Sequence, residues 1–215
     1  MNKQYILFDL DGTLIDSKIG ILRCLEYALS HFGIQATPDQ LDAFVGPPLY
    51  DTYIKMFHGS HDEALEFVRL YRERFASKGV MENSLFPGVE DFLAQLQARG
   101  KTLLLATSKP TVFARQILAH YGLDRYFALI GGSNMDNTRS HKNEVIEYVL
   151  ETCGLQDRRG ECVMIGDRRQ DVIGARQTGL DCIAVRYGYA APGELEEAGA
   201  HVFAEDFAAL LALLP

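Results

Sequence analysis

The spacing of apolar residues changes character twice along the chain. Tyr5-Ile6-Leu7-Phe8 is an unbroken apolar run that stops at Asp9, the pattern of a strand covered on both faces. From residue 17 to about residue 77 the apolar positions fall at helical spacing, with no convincing strand. Ile21, Leu22, Leu25, Ala28, Leu29 and Phe32 make one face of a first helix, with Ser17 placed to cap its start and Gly33 to end it. Leu41, Phe44 and Val45 mark a short second helix behind Pro38, which Gly46-Pro47-Pro48 stops. A third helix runs near Leu49 to Phe57, and a fourth carries Ala64, Val68, Tyr71 and Phe75 on one face. These helices predict a small bundle inserted into the chain.

Strand and helix alternate again from Pro87 onward, which predicts a parallel sheet wound on both faces. A helix with Val89, Phe92, Leu93 and Leu96 inward ends at Gly100. The strand Thr102-Leu103-Leu104-Leu105-Ala106 then runs into Thr107-Ser108-Lys109-Pro110, and a helix led by Phe113, Ile117 and Leu118 follows. Phe127-Ala128-Leu129-Ile130 is a short strand before the Gly131-Gly132 turn and a polar loop over residues 134–140. Lys142 sits at or just before the first turn of the next helix, whose inner face is Val145, Ile146, Val149, Leu150 and Cys153. Cys162-Val163-Met164-Ile165 and Cys182-Ile183-Ala184-Val185 are further strands, with a helix through Val172 and Ala175 between them. A polar helix at residues 194–198 and a strand near His201-Val202-Phe203 complete the pattern. The expected fold is therefore α/β, a doubly wound parallel sheet formed by residues 1–15 and 86–215, with a helical-bundle domain over residues 16–85.

Carboxylates cluster at the predicted strand ends. Asp9 and Asp11 alternate, so they project to one side, and Gly12 permits a sharp turn after them. Their crowding calls for a cation or a shared proton. Asp167 and Asp171 stand four apart at a helix start, one turn from each other. Capping accounts for one of them but not both. Lys142 is electrostatically misplaced at a helix N-terminus, which points to an anion nearby.

The string Asp9-Leu10-Asp11-Gly12-Thr13-Leu14 closely resembles the first motif of the haloacid dehalogenase superfamily, in its phosphatase branch. Thr107, Lys142 and Gly166-Asp167 with Asp171 match the later motifs in order, though Asn143-Glu144 replaces the usual Pro-x-Pro after the lysine. Tyr187-Gly188-Tyr189 and Pro192-Gly193-Glu194-Leu195 resemble the tail of the phosphoglycolate phosphatase group. The resemblance implies a Rossmann-type core and a helical cap inserted after the first motif, hinged at Asp16-Ser17 and Leu85-Phe86-Pro87-Gly88. It implies that Asp9 attacks phosphorus and becomes an aspartyl phosphate, while Asp11 protonates the leaving oxygen and later activates water. Gly12, Thr107, the Ser108 amide and Lys142 would hold the phosphate. Mg²⁺ would be held by Asp9, the Asp11 backbone carbonyl and Asp167, with Asp171 orienting its neighbours. Lys109 and Lys101 are the lysines most easily mistaken for Lys142, and Arg168 is expected to face solvent rather than substrate.

The implied activity is hydrolysis of a small phosphomonoester. Gly46, Pro47 and Leu49 fall where the family keeps its specificity loop, and this loop carries no cation for a second anionic group. Phosphoglycolate and a nucleoside monophosphate are then near-equal candidates. Asp11 speaks against dehalogenases and phosphonatases, the cation-free loop against sugar-phosphate mutases, and the intact carboxylates against an idle binding module. Composition narrows the picture further. A chain of 215 residues, 47% apolar, can bury a real core, and a formal charge of −8 argues against a nucleic-acid polymer as partner. The longest apolar runs are too short for a bilayer and no leader precedes Asp9, so no membrane is expected and a cytoplasmic location follows by default. Cys24, Cys153, Cys162 and Cys182 form no Cys-x-x-Cys pair and are expected to be reduced, buried thiols.

Overall fold

The computed structural model describes residues 1–215. They divide into two compact units, Met1–Asp16 with Leu85–Pro215, and Ser17–Ser84. The helical unit contains α1 (Lys18–Ser30), α2 (Pro38–Asp42), α3 (Leu49–Phe57) and α4 (His61–Ser77). Its core gathers Leu25, Ala28 and Leu29 of α1 with Phe44, Tyr53, Phe67 and Phe75. Tyr53 and Phe67 stack at 4.7 Å. Capping boxes at Thr37–Gln40 and Ser60–Glu63 start α2 and α4, satisfying backbone N–H groups that a helix start leaves unpaired. Ser17 does stand at the N-cap of α1, but its side chain makes no capping hydrogen bond. Helix α2 stops at Asp42, so Phe44 and Val45 enter the core from the turn beyond it.

Strands β1 (Tyr5–Phe8), β4 (Thr102–Pro110), β5 (Phe127–Ser133), β6 (Cys162–Gly166), β7 (Asp181–Val185) and β8 (Phe203–Ala204) form one parallel sheet in the order β5-β4-β1-β6-β7-β8. The short β2 (Ile15–Asp16) and β3 (Ser84–Leu85) make a separate two-stranded sheet where the chain leaves and rejoins this unit. Central β1 pairs with β4 on one side and β6 on the other, Tyr5 opposite both Thr102 and Cys162. The chain moves outward through β4 and β5, then returns to the far side of β1 to lay down β6. Such a reversal of strand order opens a crevice at the carboxyl ends of the strands beside it. The six helices α5 (Val89–Ala98), α6 (Thr111–His120), α7 (Lys142–Thr152), α8 (Arg169–Gln177), α9 (Glu194–Glu197) and α10 (Phe207–Leu213) accompany this sheet.

Alternation along β1 assigns its residues to opposite faces. Leu7 joins Leu104, Val145, Ile146, Val149, Met164 and Ala175 in a core cluster with α7 and α8. Phe8 turns the other way, edge-on to Phe92 of α5 at 5.9 Å, and Phe92 stacks on Phe207 of α10 at 4.8 Å. Both faces are thus covered, as the unbroken apolar strands require, and the doubly wound sheet stands. Helix α10 has no counterpart in the periodicity reading, because Phe207-Ala208-Ala209-Leu210-Leu211-Ala212-Leu213 has no polar face to reveal a period. Its signal is Asp206, which accepts a capping hydrogen bond from Ala209 N at 2.7 Å. No helix is long and apolar enough to cross a membrane.

Candidate active site

Two residues beyond Leu7 on the same side of β1 is Asp9, and the helix packed over that side begins with Lys142. Lys142 Nζ reaches Asp9 Oδ1 and Asp171 Oδ1, both at 2.8 Å, and donates to Ala106 O at 3.0 Å. The side chain is 4% exposed. Burial alone would lower its pKa, but Asp171 and Asp9 more than offset that and raise it, so the ammonium stays charged. This resolves the misplaced charge at the start of α7. Gly174 of α8 makes room for it, since a Cβ there would lie 2.8 Å from Lys142 Cγ.

Asp167 follows β6 directly and Asp171 lies in the first turn of α8. Oxygens of Asp9, Asp167 and Asp171 approach within 4.8 Å of one another. Asp167 Oδ1 accepts from Thr13 Oγ1 at 3.2 Å and its Oδ2 from Tyr189 N at 2.7 Å, while Asp171 Oδ2 accepts from Arg168 N at 3.0 Å. Asp9 Oδ1 and Asp171 Oδ1 are buried and accept no well-aligned hydrogen bond, only the charge contact of Lys142. Burial and the charges of Asp171 and Asp9 push the Asp167 carboxyl well above the usual range. Burial and Asp9 push Asp171 upward too, against the pull of Lys142. The packing that imposes this is tight. A Cβ on Gly12, which has φ 79°, would fall 2.1 Å from Asp167 Oδ2, and one on Gly166 would fall 2.1 Å from Asp171 Cγ.

Asp11 lies apart from the trio, its Oδ1 paired with Lys109 Nζ at 2.7 Å. Thr107 is buried at the carboxyl end of β4, its Oγ1 accepting from Lys109 N at 3.2 Å. That leaves the hydroxyl proton of Thr107 to donate elsewhere. Ser108 is half-buried beside it. The structure therefore collects Asp9, Asp11, Gly12, Thr107, Ser108, Lys142, Asp167 and Asp171 at one end of the sheet. Gly46, Pro47 and Leu49 belong to the helical unit, in the turn before α3 and at its first residue, with Gly46 at φ 109°.

Two side chains depart from expectation. Arg168 does not face solvent. Its Nε donates to Glu194 Oε1 at 2.8 Å, with the two side chains 12% and 9% exposed. Glu194 also accepts from Arg169 N and Ala191 N, and these donors hold its pKa below the usual value despite burial. Because α9 folds back on α8, the partner lies 26 residues away, beyond any local spacing rule. Lys109, a lysine easily mistaken for Lys142 in the sequence, is the other, since it pairs with Asp11. Lys101 sits at the opposite end of β4, bonded to Lys3 O. None of the four cysteines is in a disulfide; Cys24 and Cys162 are buried, Cys153 and Cys182 only partly so.

This geometry can be set beside known proteins. A 5'-nucleotidase of Pseudomonas aeruginosa is 44% identical over 211 residues, 97% of this chain and 94% of that protein. The tyrosine-protein kinase PtkA of Mycobacterium tuberculosis is 38% identical over 187 residues, 86% of this chain and 63% of its own length. A phosphoglycolate phosphatase of Yersinia pestis is 35% identical over 191 residues, 86% of this chain and 81% of that one. The crystal structure of a predicted phosphatase from Clostridium acetobutylicum superposes with a TM-score of 0.94 at 40% identity, covering 99% and 98% of the two chains. The haloacid dehalogenase-like hydrolase model matches residues 6–185, which takes in every carboxylate and lysine of the site. The chain belongs to the haloacid dehalogenase-like hydrolase family.

Proposed function

We propose that this site hydrolyses phosphomonoesters by transferring the phosphoryl group to Asp9, with Mg²⁺ as the resident cation. The observation that carries the reading is the trio Asp9, Asp167 and Asp171 with the buried ammonium of Lys142 wedged between the first and the last. The trio suits the ion. Its ligand atoms are oxygens only, and two of them are buried with no partner but the Lys142 ammonium. Asp9 and Asp167 would hold the metal, with the Asp11 carbonyl and Asp171 beside it. When bound, Mg²⁺ would neutralise charge on the phosphoryl oxygens.

The remaining work falls to side chains. Asp9 attacks phosphorus as the ester P–O bond breaks, and Asp11 gives a proton to the departing oxygen. Asp11 then takes a proton from the water that attacks phosphorus, releasing phosphate and restoring Asp9. Thr107 and the Ser108 amide would donate to the phosphoryl oxygens while Lys142 offsets their charge, so catalysis rests on position and electrostatics.

For substrate we favour a nucleoside monophosphate. The support is the nearly full-length relative named 5'-nucleotidase and the cation-free Gly46-Pro47-Pro48-Leu49 turn, which suits packing on a base or sugar. Phosphoglycolate is the second reading, supported by the phosphoglycolate phosphatase relative. Phosphate release from a panel of both, with an aryl phosphate as reference, decides between them. Turnover efficiency higher for phosphoglycolate than for every nucleotide would overturn the first choice. If the cap turn selects substrate, Leu49→Ala should change efficiencies among nucleotides by roughly tenfold and leave the aryl phosphate nearly unchanged. A parallel fall for all substrates would remove the turn from that role.

The cation also makes a prediction about pH. Asp167 and Asp171 have folded pKa values raised above those of the unfolded chain. Their contribution to metal-free stability is complete below about pH 4, the unfolded carboxylate value, and is lost as pH rises through the folded values. Mg²⁺ binds the deprotonated carboxylates and opposes that loss. At saturation near 100 Kd the ion should add about 2.7 kcal/mol, on the order of 5–10 °C in Tm. Thermal melts with and without Mg²⁺ should show this shift at pH 8 and little of it at pH 5. Equal shifts at both values would show that these carboxylates are not the ligands.

A further inference from the structure

The geometry points to Lys109 as the positioning residue of Asp11: it fixes which carboxyl oxygen exchanges the proton with the leaving group. This rests on the phosphatase reading, in which Asp11 is the acid and base, and extends it to a residue whose role that reading leaves open. Three features place Lys109 there. The β4–β5 ladder runs in register from Leu104↔Leu129 to Thr107↔Gly132 and then jumps to Pro110↔Ser133, so its register shifts across Ser108 and Lys109. Irregularities of this kind re-aim side chains at sheet ends. Gly132 permits it, because a Cβ there would lie 2.4 Å from Lys109 O. Thr107 Oγ1 supports it by accepting from Lys109 N at 3.2 Å. The result is a lysine side chain 6% exposed whose ammonium meets Asp11 Oδ1 at 2.7 Å.

The chemistry follows from the donor. An ammonium has only hydrogens to give, so it binds Oδ1 whether that oxygen belongs to a carboxylate or is the carbonyl oxygen of a neutral acid. The contact therefore survives both half-reactions, and the exchangeable proton belongs to Oδ2. In the first step the Oδ2–H proton moves to the ester oxygen as that oxygen takes the electron pair of the breaking P–O bond. In the second, Oδ2 receives a proton from water as the water oxygen attacks the phosphorus on Asp9. Lys109 stays protonated throughout. It is not a second Lys142, since the two lysines hold different aspartates, one from the end of β4 and the other from the start of α7.

The test is a double-mutant cycle of Lys109→Met and Asp11→Asn in the full chain, read with an alkyl and an aryl phosphomonoester. Lys109→Met should slow the alkyl substrate roughly 10- to 100-fold in kcat, the scale on which misplacing a catalytic group acts, with KM little changed. The aryl substrate, whose leaving group needs little protonation, should slow far less. In the Asp11→Asn background the same change should cost nothing further, and Lys109→Arg should recover part of the alkyl rate. Gly132→Ala, which displaces the Lys109 backbone from the neighbouring strand, should reproduce the leaving-group pattern, and it serves if Lys109→Met does not fold. An undiminished loss in the Asp11→Asn background, or equal losses for the two leaving groups, would overturn the assignment while leaving the phosphatase reading intact. Absence of any Asp9-dependent hydrolysis by the unaltered protein would overturn both.

Discussion

Asp9→Asn is expected to abolish phosphomonoester hydrolysis, with a loss on the order of 10⁴ to 10⁶ in kcat, the scale seen when a nucleophile is removed. The amide keeps the volume of the carboxylate but has no lone pair able to form an acyl phosphate, so the covalent route closes rather than slows. Folding should survive. Ile6, Leu7 and Phe8 are fully buried and continue to anchor β1 between β4 and β6, and Lys142 retains Asp171 as its counter-ion. The check is twofold, phosphate release over hours and a quench for acid-stable, hydroxylamine-sensitive phosphoenzyme. Recovery of that phosphoenzyme from the Asn variant would place the nucleophile elsewhere. An inactive variant whose melt is lower by more than a few degrees would require the comparison to be repeated below both transitions.

The parallel sheet was legible because its strands are buried on both faces and so appear as continuous apolar runs ending in polar groups. Tyr5-Ile6-Leu7-Phe8-Asp9 and Val163-Met164-Ile165-Gly166-Asp167 carry that signal without help from any neighbour. The assembly of Asp9, Asp167 and Asp171 into one cluster was legible through the motifs that sit at those ends. What stayed hidden depends on contacts distant in sequence or on backbone irregularity. Lys109 reads as a strand-end lysine until the jump in the β4–β5 ladder turns it toward Asp11, 98 residues away. Arg168 reads as a surface residue until α9 brings Glu194 to it. Tyr187 and Tyr189 marked a tail motif, yet they reach the loops after β1 and β6, where Tyr187 Oη donates to Thr13 O and Tyr189 N to Asp167. Short-range rules describe which element a residue belongs to. They are silent on which loop it will meet when a sheet reverses its strand order.

Lys142→Met carries the second large effect, on stability and rate together. Removing the ammonium leaves Asp9 and Asp171 buried with no cation between them, and breaking a buried pair in this way costs about 3 to 5 kcal/mol. In metal-free protein at pH 8 this should lower Tm by roughly 10 °C. The sign of the pH dependence is fixed by Asp171, whose folded pKa is already above the unfolded value and rises further without the lysine. Its contribution is present at low pH and lost as pH rises through the folded value, so the gap between variant and unaltered protein should narrow at pH 5 and widen at pH 8. Saturating Mg²⁺ should restore much of the stability, because the ion neutralises the same carboxylates. It should not restore the rate. Lys142 is the only side-chain cation in contact with Asp9, and losing such preorganised charge is worth about 10² to 10³ in kcat. Arginine should substitute poorly, since a planar, wider guanidinium cannot replace the compact ammonium that meets Asp9 Oδ1, Asp171 Oδ1 and Ala106 O at one point. Urea titrations at the two pH values, with and without Mg²⁺, and single-turnover rates on an aryl phosphate separate these contributions. A Met variant as stable as the unaltered protein at pH 8 without metal would show that the two aspartates do not depend on this lysine for their charge.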